Sequence, residues 1–491
     1  MSQVHYVSSQ RLSLEQIDQI LRKNFTLALS EEAVEHIERS HSYLLKKLAD
    51  LDQSTYTPNE ACFINGDQQE LVNQQQKNFL LSHAGGTGPE VPAEVVKLML
   101  LLKIQSLASG HCGVQLQTIK RLIDFFNREV YPVVYQQGTS AALAHLCLPL
   151  VGLGEANFQG YKLASQHILE MFSWQPISLA AHEALALLSG THFVTAYGTH
   201  TLLQTKRLSN NADTIAALSL DASNSNPTAF KPLLHQLRPH KGLLETVKQI
   251  QSLLEGSEIV QQKKQHVQED YFSRSVPQVH GTAKDAILYI EEAFTTEINS
   301  VTESLVIFPE EDEILSGRNI QGQPLTLALD LLTIALTELG STSEHRTYQL
   351  LKEDKGISEL LTAGPDAVSF YTTSHQTAAA IANQNKLLCA PSSIQHTATA
   401  YGQDDYSSAG ASSAAMNAYQ VVHNLETILA IELLNATMAL KLRRPLKTSY
   451  KLEELVKAYQ EAVPDVSPDG LLHAVLEKTV HFLRGYQAEI A

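Results

Sequence analysis

The segment 267–278, V-Q-E-D-Y-F-S-R-S-V-P-Q, holds the side chains best spaced for joint chemistry. Arg274 lies three residues after Tyr271 and six after Gln268, so a helix or tight turn brings all three toward one face. A guanidinium fork donates two parallel hydrogen bonds, which suits a carboxylate. The same spacing also fits a surface arginine beside a half-buried tyrosine. His83, in L-S-H-A, is a second titratable group on an otherwise apolar segment, where a lone histidine is commonly a satisfied core residue. Cys62, Cys112, Cys147 and Cys389 stand singly with no C-x-x-C pair. That predicts reduced thiols and no metal site.

The elements that position these groups read as mainly α. Residues 13–23 open with a Ser-x-x-Gln capping box, and Ser30 followed by Glu31 and Glu32 marks a second helix start. Apolar residues recur at three- and four-residue spacing through 93–108, 115–127, 178–205, 282–302, 324–355, 366–388, 410–441 and 469–486. Several of these runs are long, which predicts a bundle of long helices lying side by side. The strand signals are short, at Ala61–Ile64 and Val306–Phe308. The polar stretches 209–228, 356–366 and 391–413 read as loops. A division into 1–200 and 201–491 follows.

Composition sets the outer limits. A chain of 491 residues with 44% apolar and 18% charged residues can bury a large core. A formal charge of −16 argues against a nucleic-acid or anionic-membrane surface. No apolar run approaches the roughly 20 residues of a membrane span, and M-S-Q-V-H-Y lacks a signal-peptide layout. A cytoplasmic protein is expected.

Several ordered runs carry a resemblance. They are L-S-H-A-G-G-T-G-P-E-V-P from Leu81, L-A-S-G-H-C-G-V, and Y-P-V-V-Y-Q-Q-G-T-S-A-A-L-A-H-L-C-L-P-L-V-G-L-G-E. After them come H-E-A-L-A-L-L-S-G-T, the segment around Arg274, S-G-R-N-I-Q-G-Q-P, A-L-T-E-L-G-S-T-S-E-H-R and A-I-E-L-L. Together they resemble the histidine and aromatic amino acid ammonia-lyase family. The resemblance implies a mainly α ammonia-lyase fold, with a long-helix bundle core and a smaller N-terminal domain. It also implies a homotetramer, or a hetero-oligomer with a paralogue.

In that family an Ala-Ser-Gly triplet cyclises into 4-methylidene-imidazol-5-one (MIO), the electrophile that carries ammonia elimination. The family pattern G-[ST]-V-G-A-S-G-D-L-x-P-L-A-H spans fourteen residues, whereas Gly138 to His145 here spans eight, without the triplet. Thr139-Ser140-Ala141 offers X-Ser-X, but alanine resists the compressed turn that glycine allows. No MIO, and no other cofactor, is expected. Gly410-Ala411-Ser412-Ser413 reads as close packing at a helix start.

The resemblance assigns the remaining roles. Arg274 would bind the substrate carboxylate, with Gln268 and Tyr271 beside the reacting carbon. Tyr56 falls where the family carries its base tyrosine, although Pro58 stiffens that stretch. His83, Ser189, Asn319 and Asp404 would line the substrate. Departures cluster at the amine-and-electrophile end: Ser189 for an asparagine, His182–Glu183 for Lys-Glu, Ile320–Gln321 where an aromatic or histidine is common. The reading favoured by this pattern is an enzyme without the electrophile. It would act by acid/base chemistry, as a lyase, isomerase or cyclase, on a small aromatic-like carboxylate. The alternatives are a catalytically silent subunit beside a MIO-bearing paralogue, and an orthodox histidine or aromatic amino acid ammonia-lyase.

Overall fold

A computed structural model of the chain describes residues 3–50, 69–138, 141–262, 271–317, 319–351, 365–394, 408–464 and 470–488. It divides into two compact units that interleave along the sequence. Unit 1 takes 1–200, 292–327 and 392–415; unit 2 takes 201–291, 328–391 and 416–491. The first unit thus includes two segments that follow residue 200.

In unit 1, β1 (Val4–Val7) pairs parallel with β2 (Thr26–Leu29), flanking α1 (Leu14–Arg22). The capping box is formed: Ser13 Oγ accepts from the Gln16 amide, and the Gln16 side chain accepts from the Ser13 amide. Next come α2 (Glu31–Asp50), α3 (Gln69–His83), β3 (Thr87–Glu90) and α4 (Ala93–Leu107). From Leu98 to Leu107 every residue of α4 is buried, as expected of a helix apolar on all sides. Each fully buried leucine there contributes roughly 1.5–3 kcal/mol.

After α5 (Leu116–Asn127), the strands β4 (Tyr131–Pro132) and β5 (Tyr135–Gln137) lead into α6 (Ala141–Cys147). The hairpin β6 (Glu155–Phe158) and β7 (Tyr161–Ala164) follows, then α7 (Ser165–Met171) and α8 (Glu183–Leu188). β3 pairs antiparallel with β5, and β4 joins β6–β7 in a three-stranded sheet. The Val306–Phe308 expectation is met by a hairpin of Leu305–Phe308 with Glu313–Ser316, whose Ile307 packs on Leu44 and Leu48 of α2. Strands are more numerous than the sequence signals suggested, because each pairs with a short neighbour rather than alternating over a long run. The Ala61–Ile64 signal lies outside the described residues.

Unit 2 is helical throughout its described residues, apart from connecting loops. Its segments belong to α9 (His192–Ala222), α10 (Pro232–His235), α11 (Lys241–Leu254), α12 (Tyr271–Arg274), α13 (Val276–Ile298), α14 (Gln323–Leu350), α15 (Pro365–Leu388), α16 (Ser408–Lys441), α17 (Tyr450–Ala462) and α18 (Leu472–Gly485). Glu432 of α16 accepts from Ser219 of α9, and from Ser343 and Arg346 of α14, so three long helices meet on one buried carboxylate. Asn424 of α16 donates to Asn385 of α15 at 2.6 Å. By length and composition α14 could cross a membrane, but 67% of its most apolar stretch is buried.

Two expectations are corrected. The stretch from 209 to 222 is helix, not loop. Its apolar residues Ala212, Ile215, Ala216 and Leu218 are buried, and Asp213 is matched by His280 at 2.7 Å and Lys284 at 2.7 Å. The run 178–205 is not one helix. It breaks at Ser189–Thr191, where Gly190 takes φ +111°.

Candidate active site

Within unit 1 the candidate site is built around that break. The side chain of Lys103 reaches out of α4, fully buried, and donates to the carbonyls of Ala186 (2.7 Å) and Ser189 (2.8 Å) and to Glu303 (3.1 Å). These carbonyls are at the C-terminal end of α8, where no helical amide is left to bond them. One ammonium therefore fixes the start of the Ser189-Gly190-Thr191 turn. Burial pushes the Glu303 carboxyl up, while Lys103 opposes the shift. The Cys112 thiol is also pushed well up by burial and by Glu303.

The turn then presents a polar edge. Ser189 Oγ lies 3.2 Å from Ser304 Oγ and donates to Leu185 O. Thr191 Oγ1 donates to Glu297 at 2.5 Å, and the Thr191 amide to Thr302 Oγ1. Burial raises the Glu297 carboxyl. Asn319 is exposed, and its Nδ2 lies 3.5 Å from Val301 O. Ser189 and Asn319 thus each contact the 301–304 segment, at Ser304 and Val301 respectively. Ala411, in the small-residue start of α16, would lie 3.4 Å from a Cβ at Gly322, an ordinary van der Waals contact.

A second cluster faces the shortened motif. His83 ends α3, with its Nδ1 2.9 Å from Phe79 O and its ring 4.3 Å from that phenyl ring. Half-buried, it is held by its own helix. The Gly86 amide donates to His145 Nε2 at 3.1 Å, which fixes the proton of the neutral ring on Nδ1. Burial lowers the His145 pKa.

A Cβ at Gly138 would lie 3.2 Å from Gly86 Cα and 3.4 Å from Ala141 Cβ. Gly138, just after β5, therefore lies hard against the Gly85–Gly86 turn. Thr139 and Ser140 lie outside the described residues, but Ala141 is already helical and buried. These residues do not fit an Ala-Ser-Gly heterocycle: the position after Ser140 is a buried helical alanine. An Ala-Ser-Gly does occur at 108–110, a string the sequence reading passed over. There it ends α4, with Gly110 at φ +80° and its Cβ position 2.6 Å from His36 Cβ. It reads as a helix terminus.

In unit 2, α12 is a single turn carrying Tyr271 and Arg274. Tyr271 is 66% exposed and packs edge-on against Phe272, which stacks on His345 at 4.0 Å. Arg274 is exposed rather than partly buried, and with Gln278 it lines a cleft of about 420 Å³. Tyr56, Gln268 and Asp404 lie outside the described residues. Lys103, Glu303, Glu297 and Thr191 were missed. The signal for Lys103 was a single charge inside the apolar run of α4.

Comparison with known proteins bears on the whole chain. A family model described as aromatic amino acid lyase matches residues 12–461. The histidine ammonia-lyase of Natranaerobius thermophilus is 33% identical over 484 residues, covering 96% of this chain and 95% of that protein. That of Chloroflexus aurantiacus is 37% identical over 425 residues, covering 82% and 80%. The crystal structure of histidine ammonia-lyase from Trypanosoma cruzi superposes with a TM-score of 0.88 at 30% identity, covering 98% of this chain and 93% of that one. Phenylalanine aminomutase of Pantoea agglomerans, at 24% identity and a TM-score of 0.89, shares the fold. The match runs through the buried helices, the Ser189–Thr191 turn and the Arg274 segment alike, and on that ground the chain belongs to the aromatic amino acid lyase family.

Proposed function

We propose that this chain is a carboxylate-binding member of its family that works by acid/base chemistry without the MIO electrophile. The observation that carries the reading is that Gly138 lies against Gly85–Gly86 with the helical Ala141 only three positions on, where the family pattern needs six more residues. In this reading Arg274 holds the substrate carboxylate, and Tyr271 moves a proton at the neighbouring carbon. Proton transfer by a placed side chain contributes about 10²–10⁴ in rate. That suffices for a substrate whose leaving group departs more easily than ammonia, or for an isomerisation or cyclisation.

A second reading, an orthodox histidine ammonia-lyase, is favoured by the 33–37% identity to proteins bearing that name. One measurement separates the two. Cyclisation of an Xaa-Ser-Xaa triplet releases two waters and adds near-ultraviolet absorbance. Intact mass should equal the encoded mass, with no such absorbance. A two-water deficit mapping to 138–146 would overturn the proposal in favour of the orthodox lyase, and mapping to 108–110 would place the electrophile in the other triplet.

A further inference from the structure

The cleft that holds Arg274 also contains a second arginine, Arg238. It is formed in unit 2 by the connection from Asn226 to Leu243 on one side and by α12 with the first turn of α13 on the other. Its polar lining is Asn226, Thr228, His235, Arg238, Arg274 and Gln278, and among the described residues no carboxylate lines it. In a chain with 52 acidic residues against 36 basic ones, that is a local reversal of charge. Arg238 and Arg274 are both exposed, and neither guanidinium has an ion-pair partner among the described residues.

The walls are held close by backbone. A Cβ at Gly242 would lie 2.1 Å from Gly281 O, so α11 and α13 meet glycine to glycine. The Gly242 amide donates to Asp285 at 2.8 Å, which docks the start of α11 on α13. His235 is buried and spends its Nε2 on Ala229 O at 2.8 Å, while Asn226 accepts from the Thr228 amide at 3.0 Å. Arg238 follows directly on this braced turn, its own amide donating to His235 O. The cleft thus has a fixed frame, and its two cations are free to take a ligand.

We propose that this cleft binds a small dianion, with Arg274 taking one acidic group and Arg238 the other. Two forked donors without a resident carboxylate match two acidic groups on one molecule. The apolar sides of Leu234 and Leu243 suit a short carbon spacer between them. The inference rests on the reading of Arg274 as a carboxylate partner and extends it, making Arg238 a residue that selects for a second negative charge.

The test is calorimetric titration of the full chain at low ionic strength with 3-phenylpropionate, succinate and inorganic phosphate. Wild type should bind succinate at least about fivefold more tightly than the monocarboxylate. Phosphate binding more tightly than succinate would overturn the two-group reading, because it offers a single acidic group without a spacer. Arg238→Gln should abolish that preference while the monocarboxylate, held by Arg274, still binds, and Arg238→Lys should keep part of it. Arg274→Gln should weaken all three ligands. If the monocarboxylate binds through Arg274 but the dianions bind no better, and Arg238→Gln changes nothing, the dianion inference falls and the carboxylate reading stands. If no anion binds, both fall, and a silent subunit is preferred.

Discussion

Lys103 in unit 1 and Arg274 in unit 2 are both cations beside helical segments, yet their surroundings are opposite. Lys103 is fully buried, with two backbone carbonyls and a carboxylate around its ammonium. Arg274 stands exposed at the edge of a cleft with no acidic lining among the described residues. A buried charge must be paired because leaving it unsatisfied costs several kcal/mol, so every bond of Lys103 serves the fold. An exposed guanidinium keeps its hydration until a ligand replaces the water, so its donors remain available. The difference separates a residue that shapes a site from one that meets a ligand, a distinction that residue type alone does not make.

The largest effect should come from breaking the buried side. Lys103→Met keeps the aliphatic volume but leaves Glu303 and the carbonyls of Ala186 and Ser189 without their donor. The expected loss is about 3–5 kcal/mol in denaturant unfolding. Lys103→Met combined with Glu303→Gln removes the charge from both partners and should recover part of that loss. If the single variant unfolds like wild type, Lys103 does not hold the turn and the contrast with Arg274 collapses.

A smaller, pH-dependent effect should come from His182, at the start of α8. It is fully buried, at φ +72°, and burial lowers its pKa to about 4. The unfolded chain carries this histidine near the ordinary 6.5, so between those values the unfolded state binds more protons. Stability is therefore fully present above about pH 6.5 and is lost as pH falls toward 4, by at most about 3 kcal/mol. His182→Asn retains a residue tolerant of positive φ and removes the titration. Its unfolding free energy should fall less steeply across that window than that of wild type. Equal slopes would mean that His182 does not titrate as its burial implies.

Much of the fold was legible where local signals sufficed. Ser13 and Gln16 formed the box their spacing announced, and the apolar periodicity located most long helices. It failed where polar residues found distant partners. Asp213 reads as loop in sequence because its matches, His280 and Lys284, come from another helix. Asp221, likewise, is matched by Ser257 and Thr448. The break at Ser189–Thr191 was hidden because apolar residues flank it on both sides, and only the φ of Gly190 reveals it. At the site, the resemblance singled out Ser189 and Asn319, which each contact the 301–304 segment, and Arg274, which lines a cleft. It could not supply Lys103 or Arg238, whose meaning depends on what surrounds them in three dimensions.

The smallest expected effect is the complement of the first. Neither Arg238 nor Arg274 has an ion-pair partner among the described residues, and both are exposed, so the fold gains little from either guanidinium. Arg238→Gln and Arg274→Gln should each change unfolding free energy by less than about 0.5 kcal/mol, the range of ordinary surface substitutions. Set beside Lys103→Met under the same conditions, the three variants measure how far burial converts a cation from ligand partner to structural brace. Removing two like charges from one cleft also relieves their mutual repulsion, so the double variant should equal or slightly exceed wild type in stability. A loss above about 2 kcal/mol in either single variant would mean that the arginine braces its own cleft, leaving fewer donors for an anion.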